Sequence, residues 1–425
     1  MSGRRSDITS ARSLALHVLL RVTHDQAYAA AALSQGLADS DLPASERGLA
    51  TELCYGVLRA EPYLRRRLER HTDLRRTDAE IGLILCLGVY QLEFLDRVPV
   101  HAAVSECVEL ARSAGTWATG FVNAVLRKVA TDDVGRLPRE EAIWTSVPAW
   151  LRKRLERDVG EAEARGLLVP AQAPRPDVRL RPGRPVPLEL ELEDTVLGSA
   201  KRFTGGGDPR RHAGFLAGDF VLQELGSQLV AALVAAKPGE RVLDACAGRG
   251  QKTACLLDLG ADVLATDLHE HKLRALSSEM ARLGLVAQTR VVDWTKPPPD
   301  DLLGAFDAVS LDAPCTGTGT LRRRPEIMRR LGSDSPRELA ELQGQLLRQA
   351  ALCLTPGGRL IYSICSVLRQ EAEDVLAAVQ DVLEPAPLPT LDLPWLAAGA
   401  TSVRFLPGTS ASDGYFVTQL VLRQS

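Results

Sequence analysis

Hydrophobic residues recur at helical spacing through the first third of the chain. "SARSLALHVLLRV", "ERGLATELCYGVLRAEPYLRRRLERH", "AEIGLILCLGVYQLEFL" and "VHAAVSECVELARSAG" carry apolar residues three or four apart, with breaks at Pro43, Pro99 and Gly115. "TGFVNAVLRKVA" reads as the last helix of the series, and the polar residues 131–140, with Pro138, suit a linker. The pattern predicts an all-helical domain over residues 1–135. Residues 140–220 mix a helix, "AWLRKRLERDVGEAEARGLL", with Pro-rich stretches and short strands such as "PDVRLRP", which predicts a small α+β subdomain. From 221 to 425 the pattern becomes strand, turn, helix, repeated. That alternation predicts a parallel α/β sheet.

The predicted strands of this last region place polar chemistry at one edge. "ERVLD" ends at Asp244, "ADVLATD" at Asp267, "TRVVD" at Asp293 and "FDAVSLD" at Asp312; "GGRLIYSICS" follows as a fifth strand. Ligands of open α/β sheets bind outside the carboxyl ends of the strands. One strand-ending aspartate is an ordinary turn or cap; four in register point to a ligand rich in hydroxyl and amine donors. The first turn, "AGRGQKT", misses both common nucleotide templates: Thr253 stands where the dinucleotide fingerprint has its third glycine, and Gln251 precedes Lys252 where a P-loop has glycine. Pyrophosphate is therefore disfavoured. Asp267 is placed for ribose hydroxyls, and the whole set fits an adenosine without phosphate, namely S-adenosylmethionine.

Composition and charge add bounds. The chain has 425 residues, 45% hydrophobic and 25% charged, with a formal net charge of −3, so bulk charge does not announce a nucleic-acid binder. Of the basic residues all but seven are arginine, clustered at Arg65, Arg66, Arg67 and Arg70, at Arg75 and Arg76, and at Arg322, Arg323 and Arg324. Arginine forks suit phosphate, although solvated helix faces account for such clusters equally well. The eight cysteines form neither CxxC pairs nor zinc-spaced clusters, and no apolar run reaches membrane-spanning length. The expectation is a cytoplasmic monomer with free thiols, without metal or membrane partner.

Two of those thiols change the picture. Cys315, in "LDAPCTGTGT", and Cys365, in "YSICS", sit at the carboxyl ends of neighbouring predicted strands, beside the proposed cofactor. Alkylating oxygen or nitrogen needs no cysteine. Alkylating C5 of a pyrimidine does, because that carbon becomes nucleophilic only after a thiolate adds to C6. An acid must then support N3 and the exocyclic amine of cytosine, and Asp312 is adjacent.

The segments "VLDACAGRGQKT", "DLHEHKLRAL", "VVDWT", "LDAPCTGTGTLRRRPEI" and "YSICSVLRQEAEDVL" together resemble the RNA cytosine-5 methyltransferases of the NSUN/Sun group. The helical start, with "FVNAVLRKV" at its end, is similar to the NusB-like domain of the bacterial RsmB branch. "GDFVLQELGSQLVAALVAAKPGERVLDACAG" and "SDGYFVTQLVLR" fit too, so the resemblance spans nearly the whole chain. It implies a NusB-like RNA-binding domain, an RRM-like subdomain and a class I (Rossmann-like) methyltransferase domain acting on RNA, with 16S rRNA as the expected substrate. It implies Cys365 as nucleophile, Cys315 as the thiol that helps resolve the adduct, and Asp312 touching both base and donor pocket. It implies a cofactor loop of Cys246, Ala247, Gly248, Arg249, Gly250, Gln251 and Lys252, with Asp267 on the ribose and Asp293 near the adenine. Arg322, Arg323 and Pro325 are expected to line the RNA side.

The sequence departs from the family pattern in places. The loop usually reads Ala-Pro-Gly-Gly-Lys-Thr; here it is Gly248, Arg249, Gly250, Gln251, Lys252, Thr253. If position 251 required positive φ, glutamine would cost on the order of 1 kcal/mol. Ile364 replaces a usual threonine beside the nucleophile, and Arg324 a usual asparagine before Pro325. Two alternatives follow: the same chemistry on tRNA, or a non-catalytic RNA-binding or assembly protein that keeps the fold.

Overall fold

The computed structural model describes residues 8–169 and 175–423. The chain forms two compact units: Met1–Arg152 with Arg323–Arg330, and Lys153–Arg322 with Leu331–Ser425.

The first unit contains helices α1 (Ala11–His24), α2 (Ala29–Ala38), α3 (Ala44–Glu69), α4 (Ala79–Phe94), α5 (Val100–Leu110), α6 (Thr116–Ala130) and α7 (Arg139–Trp144). Helix α4 is apolar around its whole circumference, and every residue from Ile81 to Gln91 is buried, which makes it the centre of the bundle. Gly88 lets α6 approach it: a Cβ there would lie 2.5 Å from Leu126 Cδ1. The arginine cluster on α3 is largely consumed inside this unit. Arg67 is 2% exposed and paired with Glu93 at 2.6 Å, while Arg65 pairs with Glu61 and Arg70 with Asp132. Residues 323–330 complete the unit from far along the sequence. Glu326 accepts the Ala29 N–H at 3.3 Å, Arg329 pairs with Glu61, and Arg330 donates to the Gln26 and Ala27 carbonyls at 2.7 and 2.8 Å.

Helix α8 (Ala149–Val159) runs into the second unit, followed by α9 (Glu161–Leu168). Strands β1 (Asp177–Leu180), β2 (Leu192–Asp194), β3 (Ala200–Phe203) and, after α10 (Ala213–Leu216), β4 (Phe220–Leu222) form an antiparallel sheet in the order β2-β3-β1-β4. This small sheet belongs to the same unit as the larger one. Arg179 of β1 and Arg181 just beyond it both pair with Asp258, at 2.6 and 2.8 Å.

The larger sheet follows α11 (Leu225–Val234). In chain order come β5 (Arg241–Asp244), α12 (Gln251–Asp258), β6 (Asp262–Asp267), α13 (Glu270–Leu283), β7 (Gln288–Val291), β8 (Phe306–Asp312), α14 (Ser335–Ala351), β9 (Leu354–Ile364), α15 (Glu373–Ala378), β10 (Leu383–Ala386), β11 (Ser402–Phe405), α16 (Pro407–Ser410) and β12 (Tyr415–Leu422). The strand order is β10-β12-β9-β8-β5-β6-β7, with β11 also beside β12. Strands β5 to β9 are parallel, and β12 returns antiparallel to β9. The central strands are buried on both faces, so they read as continuous apolar runs. Leu243, Val309 and Leu360 pack on α14 through Leu346, Leu347 and Ala350, while their neighbours Val242, Ala308 and Ile361 pack on α11 through Leu229, Val230 and Leu233. The chain turns back between β5 and β8, so the crevice of this doubly wound sheet opens at the carboxyl ends of those strands. This is the class I methyltransferase architecture expected from the sequence. Among the described residues, no helix is long and apolar enough to cross a membrane.

Candidate active site

The donor-side edge is built by β5, its turn and α12. Asp244 ends β5 fully buried, with Oδ2 accepting from Thr253 Oγ1 at 2.7 Å and Oδ1 without a hydrogen-bond partner. Burial pushes its carboxyl up to about 6, against the Thr253 hydrogen bond. The turn residues Cys246, Ala247 and Gly248 are half-buried and Arg249 is exposed. Gly248 and Gly250 both have positive φ, +58° and +84°, and a Cβ on Gly250 would lie 2.5 Å from Leu276 Cγ. Only glycine fits that place. Gln251 does not share the constraint: it is the first residue of α12, has no positive φ, and anchors the turn by donating from Nε2 to the Leu222 carbonyl at 3.0 Å. The strain considered for this substitution is therefore absent, because the chain keeps glycine at both positions that need it.

Asp267 ends β6 beside this turn. Its Oδ2 accepts the Gly248 N–H at 3.1 Å, its Oδ1 accepts the His269 N–H at 2.8 Å, and Lys272 lies at 3.3 Å. A glycine turn without side-chain bulk, a carboxylate tied to it and an orphaned buried oxygen on Asp244 together fit a ligand with hydroxyl and amine donors, as S-adenosylmethionine is. Asp267→Ala should weaken binding of that molecule by about 1–3 kcal/mol, since a charged acceptor is lost; titration calorimetry reads this, and an unchanged Kd would remove Asp267 from the site.

Asp244 also predicts a pH dependence. Its folded value of about 6 lies above the ordinary 3.8, so in that window the folded protein keeps a proton the unfolded chain has lost. Its contribution to stability therefore falls as pH rises from about 4 to about 6, by about 3 kcal/mol. In urea unfolding, Asp244→Asn should lose that slope; equal slopes in both proteins would contradict the burial cost.

The thiol side is built by β8 and β9. The two strands are parallel with Asp312 opposite Ser363, and Ser363 Oγ donates to Asp312 Oδ1 at 3.1 Å. Beyond them, Cys315 Sγ and Cys365 Sγ stand 3.4 Å apart, both half-buried. Lys252, on the first turn of α12, reaches across the crevice to Asp312 Oδ2 at 2.6 Å. Burial opposes the Lys252 charge, but Asp312 more than offsets it and the ammonium is held above its usual value. The Cys315 thiol is pushed well up, first by its hydrogen bond with Cys365, then by burial.

One residue here carries no sequence signal. Glu371 is completely buried behind both cysteine loops and accepts from Thr316 N at 2.8 Å, Ser366 Oγ at 2.6 Å and Gln343 Nε2 at 3.1 Å, as well as from Thr316 Oγ1. Tyr362 donates to its backbone carbonyl at 2.8 Å.

The remaining expected residues are less closely tied to these groups, although the N–H of Val292, next to Asp293, bonds to the Asp267 carbonyl at 3.3 Å. Asp293 falls two residues beyond β7 and is held by its own neighbours, Thr295 and Lys296, which hold its carboxyl down at about 2. Arg322 is committed to Asp413 and lies 3.8 Å from Glu224, with its side chain 13% exposed. Pro325 is buried, and it and Arg323 belong to the helical unit. Cys54, Cys86, Cys107, Cys255 and Cys353 are buried, and His269 and His271 exposed. Among the described residues, no group of three or more histidine, cysteine, aspartate or glutamate side chains could hold a metal ion.

Comparison with known proteins agrees with this geometry. A family model described as 16S rRNA methyltransferase RsmB/F matches residues 231–421, and that of the NusB family matches residues 9–131. Ribosomal RNA small subunit methyltransferase B of Thermus thermophilus is 38% identical over 380 residues, 86% of each chain. The probable ribosomal RNA small subunit methyltransferase B of Bacillus subtilis is 30% identical over 443 aligned residues, covering 97% of this chain and 98% of its own. The crystal structure of PH0851 shares the fold, with a TM-score of 0.84 at 21% identity over 99% of both chains.

Proposed function

The chain belongs to the family of ribosomal RNA small subunit methyltransferases B, and from that premise we propose that it methylates C5 of a cytosine in 16S rRNA, through a covalent adduct between Cys365 and C6 of the base. It is an rRNA methyltransferase that uses S-adenosylmethionine. The observation that carries the finer reading is the pair of thiols 3.4 Å apart at the ends of β8 and β9, beside the Asp312–Lys252 pair.

S-adenosylmethionine, held by the Gly248–Gly250 turn and Asp267, supplies an electrophilic methyl group. C5 of cytosine is not nucleophilic enough to take it unaided. The Cys365 thiolate forms a bond to C6, and the displaced π electrons make C5 an enamine carbon. Negative charge gathers toward N3 as this happens; the Lys252 ammonium, paired with Asp312 at 2.6 Å, stabilises it, while the Asp312 carboxylate is placed to accept from the exocyclic amine. Once C5 bears the methyl group, a base removes its remaining proton. The electron pair re-forms the C5–C6 double bond and expels the thiolate. Cys315 is the group in reach of Cys365 that assists this last step. The helical unit, as a NusB-like fold, is assigned to holding RNA, and a cytoplasmic location is the one that fits action on rRNA.

Bisulfite sequencing of total RNA tests the assignment. A strain lacking the gene should lose one protected cytosine in 16S rRNA, regained on complementation. Loss of a protected cytosine in tRNA would move the substrate; no lost position at all would overturn the reaction.

A further inference from the structure

The two thiols are free, close together and held from behind. Cys315 Sγ and Cys365 Sγ stand 3.4 Å apart, each half-buried, and the exposed Pro314 lies next to the first of them. A disulfide needs about 2.0 Å between its sulfurs and about 4.4–6.8 Å between its Cα atoms. The sulfurs are therefore about 1.4 Å short of bonding distance.

The backbones already run side by side. β8 and β9 are neighbouring strands, and such strands lie about 4.8 Å apart, inside the range a disulfide spans. Beyond their ends the Ala313 N–H donates to the Ser363 carbonyl and the Gly319 N–H to the Cys365 carbonyl, both at 2.9 Å. The residues that follow the two cysteines are joined as well. Thr316 Oγ1 and Ser366 Oγ stand 3.2 Å apart, and Glu371 Oε2 accepts from both hydroxyls. These bonds reach the two loops alike and fix the separation between them. Closing the last gap takes side-chain rotation and no movement of either loop.

We propose that the pair is an oxidation site: a hydroperoxide converts Cys315 and Cys365 to an intramolecular disulfide, which withholds both thiols from methyl transfer until a thiol reductant restores them. One sulfur attacks the peroxide. An S–O bond forms, the O–O bond breaks, and the second oxygen leaves as an alcohol, or as water when the oxidant is hydrogen peroxide. The other sulfur attacks the resulting sulfenic acid. The S–S bond forms, the S–O bond breaks, and the hydroxide takes the second thiol's proton and leaves as water. The sulfurs lose two electrons in all and the peroxide gains them. Which sulfur reacts first does not alter the product. A sulfenic acid with no thiol in reach goes on to the sulfinic and sulfonic acids, which a thiol reductant does not reverse. Each cysteine thus protects the other. The disulfide follows from the geometry alone; the loss of activity rests on the reading of Cys365 as nucleophile given above.

The test treats the full-length protein with hydrogen peroxide, without RNA or methyl donor. Remaining thiols are blocked with iodoacetamide, and unreduced peptides are mapped by mass spectrometry. Methyl transfer to rRNA from a strain lacking the gene is measured before and after dithiothreitol. A peptide linking Cys315 to Cys365 should appear, lighter by two hydrogens than its two parts. Methyl transfer should be lost in proportion to the linked fraction and return with dithiothreitol. In Cys315→Ala and Cys365→Ala the remaining cysteine of the pair should reach the sulfinic or sulfonic acid at peroxide levels from which the parent recovers. Oxyacids at Cys315 and Cys365 of the parent, with no linked peptide, overturn the proposal. So do single variants whose remaining thiol survives as well as the parent pair. If the variants do not fold, the parent's linked peptide decides. A fully linked protein that still transfers methyl groups overturns the inactivation. The nucleophile reading is judged apart from all of these, by which cysteine forms the RNA adduct in the absence of peroxide.

Discussion

Replacing Cys365 with alanine will reduce methyl transfer to background while RNA and S-adenosylmethionine still bind. Cys365 is the proposed source of the enamine, and deleting a covalent nucleophile costs at least about 10⁴-fold. Cys315→Ala will behave differently. In the proposed reaction, addition to C6 and methyl transfer do not require the second thiol, but release of the product waits for removal of the C5 proton. The protein should then stall as a covalent protein–RNA adduct, seen as a shifted band with labelled RNA on a denaturing gel. Cys365→Ala and the double variant should show no such band. A band that survives in Cys365→Ala and vanishes in Cys315→Ala would reverse the two roles. Activity retained by Cys365→Ala, with no adduct in any variant, would end thiol catalysis here. RNA from cells lacking the enzyme is the right substrate, since it is unmethylated.

Asp312→Asn should cut turnover by about 10²–10³-fold, the usual loss when one preorganised partner of developing charge is removed. The structure makes a second effect unavoidable. Lys252 lies 2.6 Å from Asp312 with its side chain only 11% exposed, so the substitution strands a nearly buried ammonium. Removing one partner of a fully buried pair costs about 3–5 kcal/mol, and the 30% exposure of the Asp312 side chain reduces that figure. Stability and catalysis separate in a double-mutant cycle. Lys252→Met combined with Asp312→Asn should recover much of the lost stability in urea, because no unpaired charge is left, and none of the activity. A double variant no more stable than Asp312→Asn alone would mean that the pair is not coupled in this way; full activity in Asp312→Asn would remove it from the reaction.

Much of this site could be read from sequence because its parts stand at strand ends. Asp244, Asp267 and Asp312 close short apolar runs, and such runs have one place to go in an α/β sheet. Cys315 and Cys365 follow from the same logic, being the next polar chemistry beyond β8 and β9. What escaped the sequence is what depends on partners distant along the chain. Lys252 reads as part of a glycine turn, and nothing local says that its ammonium meets a carboxylate sixty residues on. Glu371 lies in a charged run, "LRQEAEDVL", which has the composition of a solvated helix face; its burial arises only when two loops and α14 close over it. Arginine clusters hide partners of the same kind. Arg67 and Arg322 stand in runs that suit phosphate, and the sequence gives no sign that they pair with Glu93 and Asp413. Asp293 was displaced by a boundary: β7 stops at Val291, so the acid falls in the following turn instead of at the strand end.

The membership of residues 323–330 in the first unit bears on how the protein is made. During synthesis the helices up to Arg152 emerge first, but the Glu326 carboxylate that receives the Ala29 N–H, and the Arg330 side chain that caps the Gln26 and Ala27 carbonyls, do not yet exist. Residues 153–322 must leave the ribosome before the helical half is complete. Vectorial folding, with an N-terminal domain finished before the next begins, is therefore closed to this chain in its simple form. A fragment ending at Arg152 should be less stable than the same helices in the whole protein. A nascent chain cut short anywhere before residue 323 leaves the helical unit without its last segment.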